Sequence, residues 1–219
     1  METTTIDAIT PTATTTYSPP LTEQPEAPVL FTAECKQGDE YVTISAQPMI
    51  LGSRDILELW NRLSKFQVLF ASPEESNFPN FLSMLQDEHS ILINFDGKGM
   101  ALVSDIIPTV QASVQISFWD SRLKGREPLI RELVRWIFDT LRVRRVAMPI
   151  RADARAMRAF MERVGLYFEG ALKNWVKSQN KTYDLHLYGV VREEVDPHWL
   201  AGRSWAKPRV RFLRTHETR

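Results

Sequence analysis

Trp119-Asp120-Ser121-Arg122-Leu123-Lys124-Gly125-Arg126-Glu127-Pro128 lies where a strand pattern gives way to a helix pattern. Before it, Val110 to Phe118 alternates apolar and polar residues with the period of a strand. After it, Leu129, Ile130, Leu133, Val134, Ile137 and Leu141 recur at helical spacing, which predicts a helix over Pro128 to Leu141. A helix that starts directly after a strand exposes backbone N–H groups without intrahelical partners, together with partial positive charge. Phosphate groups bind such ends. Arg122, Lys124 and Arg126 add three cations to this one, around a glycine that permits a tight turn.

Working outward, Arg145 to Ile150 reads as a short strand. Met157, Phe160, Met161 and Val164 stripe a second helix, which Gly165 stops. Phe168 to Val176 and Tyr183 to Val191 are strand patterns, joined by a turn around Gln179-Asn180-Lys181. On the upstream side, Tyr41 to Ala46 is a strand, Ser53 to Gln67 a helix, and Phe78 to Gln86 a shorter helix that begins around Pro79. Ile91 to Phe95 and Met100 to Ile107 flank Asp96-Gly97, the dipeptide of a tight hairpin turn. The expected order is β-α-α-β-β-β-α-β-α-β-β. An antiparallel meander feeding a βαβ crossover implies an α/β protein, its mixed sheet carrying helices on both faces.

The chain of 219 residues, 43% hydrophobic and 25% charged, suits one ordinary globular domain. We divide it into a Thr/Pro-rich disordered leader over 1–28, a domain over 29–195 and a basic tail over 196–219. No apolar run has the length of a membrane span and no secretory signal opens the chain, so a cytoplasmic location is expected. The single cysteine, Cys35, allows no intrachain disulfide and fits a reducing compartment. The histidines lack metal-ligand spacing, so no metal is expected. The net charge of zero conceals an asymmetry: residues 1–120 carry a net −11, residues 121–165 a net +7, and residues 166–219 a net +4. The positive segment coincides with the glycine turn and would attract a polyphosphate.

The order and spacing of these pieces resemble the acyl-CoA half of the GNAT N-acyltransferase superfamily, over roughly residues 90–195. The likeness is carried by Arg122-Leu123-Lys124-Gly125-Arg126-Glu127, by Glu162-Arg163-Val164-Gly165, by Phe168-Glu169-Gly170-Ala171-Leu172-Lys173 and by Tyr183-Asp184 with Leu187-Tyr188. It is closest to the branch that acetylates protein N-termini, such as the ribosomal-protein alanine acetyltransferases. The resemblance implies acetyl-CoA as co-substrate and transfer of its acetyl group to a primary amine: a protein N-terminus, a lysine or a small amine.

By the same resemblance, Arg122, Leu123, Lys124, Gly125, Arg126 and Glu127 form the pyrophosphate cradle. A backbone N–H near Phe118 polarises the thioester carbonyl, and Asp153 stands in for an Asn where the family pattern meets Ala154. Three positions depart from the family: Glu127 where a small residue is usual, Ala154 for the Asn, and Met161 for a Tyr that acts as general acid. A thioether donates no proton. Asp184, His186 and Glu169 are the candidate catalytic groups that remain, Asp184 and His186 sharing one sheet face by their spacing. A second reading is a GNAT-shaped binding or structural protein without turnover, as in divergent virus-encoded members. A third takes Trp199, Trp205, Arg209, Arg211 and Arg214 as a nucleic-acid surface and is the least favoured. The sequence leaves the oligomeric state open.

Overall fold

The computed structural model describes residues 27–49, 53–64, 77–87, 89–178 and 181–195. Most of the expected leader, the whole tail from residue 196, the end of the Ser53-to-Gln67 helix and the turn residues Gln179 and Asn180 lie outside them. Among the described residues, nine strands form a single mixed sheet: β1 (Phe31–Gln37), β2 (Glu40–Pro48), β3 (Ile91–Phe95), β4 (Gly99–Ile107), β5 (Gln111–Phe118), β6 (Leu123–Lys124), β7 (Arg145–Arg151), β8 (Tyr167–Ser178) and β9 (Lys181–Val191). The order across the sheet is β6-β1-β2-β3-β4-β5-β7-β9-β8. Four helices accompany it: α1 (Ser53–Leu63), α2 (Phe78–Gln86), α3 (Glu127–Leu141) and α4 (Arg155–Val164).

Helices cover both faces because the strand residues alternate. In β4, Ala101 and Val103 join the larger core with α3 and α4, while Met100 and Leu102 join a second core with α1 and α2. The apolar stripe of α3 is buried in the larger core from Leu129 to Phe138. Asn77 caps α2, its side-chain oxygen accepting the Asn80 N–H at 2.9 Å, with Pro79 in the first turn. Asp96 and Gly97 both adopt positive φ, 46° and 67°, as a two-residue hairpin turn requires. Gly165 closes α4 at φ 104°, its N–H donating to the Met161 carbonyl.

Two strands go beyond the sequence-based expectation. The burial of β1 alternates, but its fully buried residues are the small Ala33 and Cys35, with Phe31 partly buried on the same face, so the period carries little hydrophobic weight. Leu123 and Lys124, expected in a loop, form β6 by pairing with Gln37 and Lys36. That contact spans more than eighty residues of sequence, and no local pattern announces it.

Candidate active site

The parallel pairing of β5 with β7 covers only Gln111↔Arg145, Ala112↔Val146 and Ser113↔Ala147. Beyond it, β5 runs on to Phe118 against β4, and Met148 to Arg151 of β7 pair with β9. The two strands therefore part, and a wedge opens in the sheet. The Trp119 N–H donates to the Lys98 carbonyl at 3.1 Å, on the β4 side. Backbone groups alternate along a strand, so the N–H groups of Phe118 and Ile116 face the opposite side, into the wedge.

The loop from β5 to α3 is folded by its own polar groups. One Asp120 carboxylate oxygen accepts the Arg122 N–H at 2.9 Å and the other accepts Gln37 Nε2 at 3.2 Å. The Arg122 backbone N–H, then its guanidinium, hold this carboxyl below the usual range. The Asp120 carbonyl takes the Leu123 N–H at 3.3 Å, and the Leu123 side chain is fully buried. Gly125 then turns the chain at φ 54°. At the start of α3 the Ile130 N–H is spent on the Arg126 carbonyl, and the backbone at Leu129 lies beside the buried Cys35 thiol. Gly125, Arg126 and Glu127 are left with their N–H groups outside the ladder and the helix. Burial raises the Cys35 thiol to about 11, so it is no nucleophile.

Glu127, the acidic departure in the cradle, is neither solvent-directed nor balanced by the adjacent cations of its loop. Its side chain is 19% exposed and pairs with Arg163 Nε on α4 at 2.8 Å. Arg131, on the next turn of α3, donates to the Val164 and Arg163 carbonyls at 3.3 and 2.9 Å, which satisfies the end of α4. These contacts lace α3 to α4. Arg126 lies over the Phe118 ring at 4.7 Å, and that ring stacks on Phe95 at 5.7 Å.

The three candidate acid–base residues fall in different surroundings. Glu169 stands at a β-bulge of β8 and pairs with two nitrogens of Arg145, which also reaches Gln111. Arg145 and Gln111 mark the closed end of the wedge, so Glu169 is not brought to its mouth. Asp184 accepts from Lys173 Nζ at 2.7 Å and from the Asn174 N–H at 3.0 Å, pinning a second bulge of β8. Lys173, then that N–H, hold its carboxyl below the usual range and weaken it as a base. His186 pairs across β9 with Ile150, in the open half of β7, and packs on Phe168 at 5.0 Å. Its Nδ1 is buried and has no partner among the described residues. Asp153 accepts from Arg151 Nε at 2.6 Å beside Ala154, the N-cap of α4. Met161 is fully buried in the core.

Sequence reasoning missed three features here. Gln115, mid-way along the open stretch of β5, keeps a buried Oε1 with no partner among the described residues. Arg163 belonged to the resemblance only as part of a helix end. Trp119 is fixed by contacts with Gly97 and Arg62 that nothing local signals. Among the described residues no helix is long and apolar enough to cross a membrane.

No family model matches this sequence, and no curated protein matches it either. Solved structures do match. Mycobacterium smegmatis RimJ, solved with CoA-disulfide, is 18% identical, with a TM-score of 0.58 over 80% of this chain and 96% of that one. The spermidine N-acetyltransferase of Vibrio cholerae, solved with CoA and spermine, is 16% identical, with a TM-score of 0.55 over 68% of this chain and 96% of that one. The chain has the fold of the GNAT acetyltransferases.

Proposed function

We propose that this protein is an acetyl-CoA-dependent N-acyltransferase, moving an acetyl group to a primary amine by direct attack. The observation that carries the reading is the wedge: β5 and β7 part after three residue pairs, and the first turn of α3 follows β5 after a short connection that holds β6. The free N–H groups of Gly125, Arg126 and Glu127, with Arg122 and Lys124 beside them, suit a pyrophosphate. Glu127 does not oppose it as an isolated carboxylate, because Arg163 neutralises it. The fold neighbours solved with CoA, one of them also with spermine, support both the co-substrate class and an amine acceptor.

In this reading the Phe118 N–H meets the thioester carbonyl and stabilises the oxyanion that forms as the amine adds. His186, its buried Nδ1 without a partner among the described residues, takes the ammonium proton on Nε2 through water. Asp153 and Arg151 sit at the α4 end of the wedge, in reach of the pantetheine arm. Met161 supplies no proton, so the leaving thiolate is protonated from solvent. Glu169 and Asp184 serve the sheet through Arg145 and Lys173.

Calorimetric titration with acetyl-CoA, with adenosine diphosphate as control, tests this directly. Micromolar binding that requires the pantetheine arm is expected, and Gly125→Trp abolishes it, because an indole forced against Lys36 of β1 at a left-handed φ distorts the cradle. Unchanged affinity in that variant refutes the loop assignment. Binding with no transfer to any amine would favour a non-catalytic relative.

A further inference from the structure

Resting on that reading, we infer that Trp119 gauges the acyl chain and restricts the site to the two-carbon acetyl group. Trp119 directly follows Phe118, whose N–H meets the acyl carbonyl, so the two residues stand about 3.4 Å apart along the strand. Ser117 lies opposite Met100, a member of the α1/α2 core, and Trp119 shares that face. Its indole therefore stands beside the acyl position on the α1/α2 face, whereas the pyrophosphate cradle belongs to α3 on the other. A ligand threading the wedge from α3 meets the indole at its far end.

The ring is not free to swing aside. Its Nε1–H donates to the Gly97 carbonyl in the hairpin turn, and its main-chain N–H to Lys98 in the same turn. Arg62 of α1 covers the ring at 5.3 Å and is held in turn by Glu58 at 2.5 Å. The indole also packs against the α1/α2 core. The residue before it is equally confined, because Gly99 leaves no side chain where the Phe118 ring lies. A wall held by a turn, a helix and a core yields little to a longer alkyl chain.

The test measures dissociation constants by calorimetry for acetyl-CoA, butyryl-CoA and CoA on the full chain, wild type beside Trp119→Ala and Trp119→Phe. The wild type is expected to bind butyryl-CoA at least tenfold more weakly than acetyl-CoA. Trp119→Ala removes or inverts that preference while leaving CoA affinity within about twofold, and Trp119→Phe keeps most of it. Thermal melts check that each variant is folded, and Trp119→Leu, which is also expected to lose most of the preference, stands in if Trp119→Ala is not. Equal wild-type affinities for acetyl-CoA and butyryl-CoA overturn the gauge and leave the transferase reading intact. So does an unchanged preference in folded Trp119→Ala. Failure of the wild type to bind any of the three overturns the transferase reading, and the gauge with it.

Discussion

Replacing Gly99 with alanine puts a methyl group where the sheet has no space. The added carbon meets the Phe118 ring at 2.5 Å and the Ser117 carbonyl oxygen at 2.7 Å. Both distances are inside van der Waals contact, and the second neighbour is backbone. The ring cannot simply turn away, being stacked on Phe95 and covered by Arg126. Overpacking of this kind costs about 1–3 kcal/mol. The control is Gly170→Ala, where the new carbon has nothing within 4 Å, so its stability should change by less than about 0.5 kcal/mol. Urea denaturation followed by circular dichroism measures both. Relief of the strain must displace β5 at Phe118, the edge that faces the wedge, so Gly99→Ala also weakens acetyl-CoA binding while Gly170→Ala does not. Phe118→Ala should cost less in the Gly99→Ala background than in the wild type, because there it also removes one of the two clashes. Equal stability in the two glycine variants, with equal acetyl-CoA affinity, would refute the packing argument and the role given to the Phe118 edge.

Cys35 makes stability depend on alkaline pH. Its folded-state thiol titrates at about 11 against 9.0 when unpaired, so the unfolded chain ionises first. Stability is complete below pH 9, falls between about 9 and 11 by up to roughly 3 kcal/mol, and is then level. Thermal melts across that range should show the fall in the wild type and a correspondingly smaller one in Cys35→Ala. The acid–base candidates separate by assay. Glu169→Gln strips Arg145 of its partner and lowers stability by about 1–3 kcal/mol, with acetyl transfer by the folded fraction unchanged. His186→Gln lowers kcat by about 10²-fold or more with little change in the urea midpoint. The reverse pattern would exchange their roles.

The legibility of this chain follows the range of each interaction. The hairpin turn at Asp96-Gly97, the stripe of α3 and the stop at Gly165 are set by neighbouring residues, so periodicity and turn chemistry predict them. The meander and crossover follow from the order of those pieces, and with them a sheet with helices on both faces. The cationic glycine turn at the strand–helix junction was likewise visible, because the N–H groups of a helix end are a local property. The partners of the polar side chains were not. Glu127 reads in sequence as an acidic departure within a cationic loop, yet it pairs with Arg163, which lies 36 residues along the chain. Glu169 and Asp184 look like free carboxylates in sequence, but one bulge in β8 turns Glu169 onto Arg145 and a second brings Lys173 to Asp184 of β9. A sequence determines which segments bury apolar faces, because burial repeats with the local backbone period. Which charge meets which is decided only when distant strands and helices come together. The tertiary structure thus decided where β5 and β7 part, how Trp119 is held, and that His186 keeps a ring nitrogen without a partner among the described residues, where Glu169 and Asp184 are both paired.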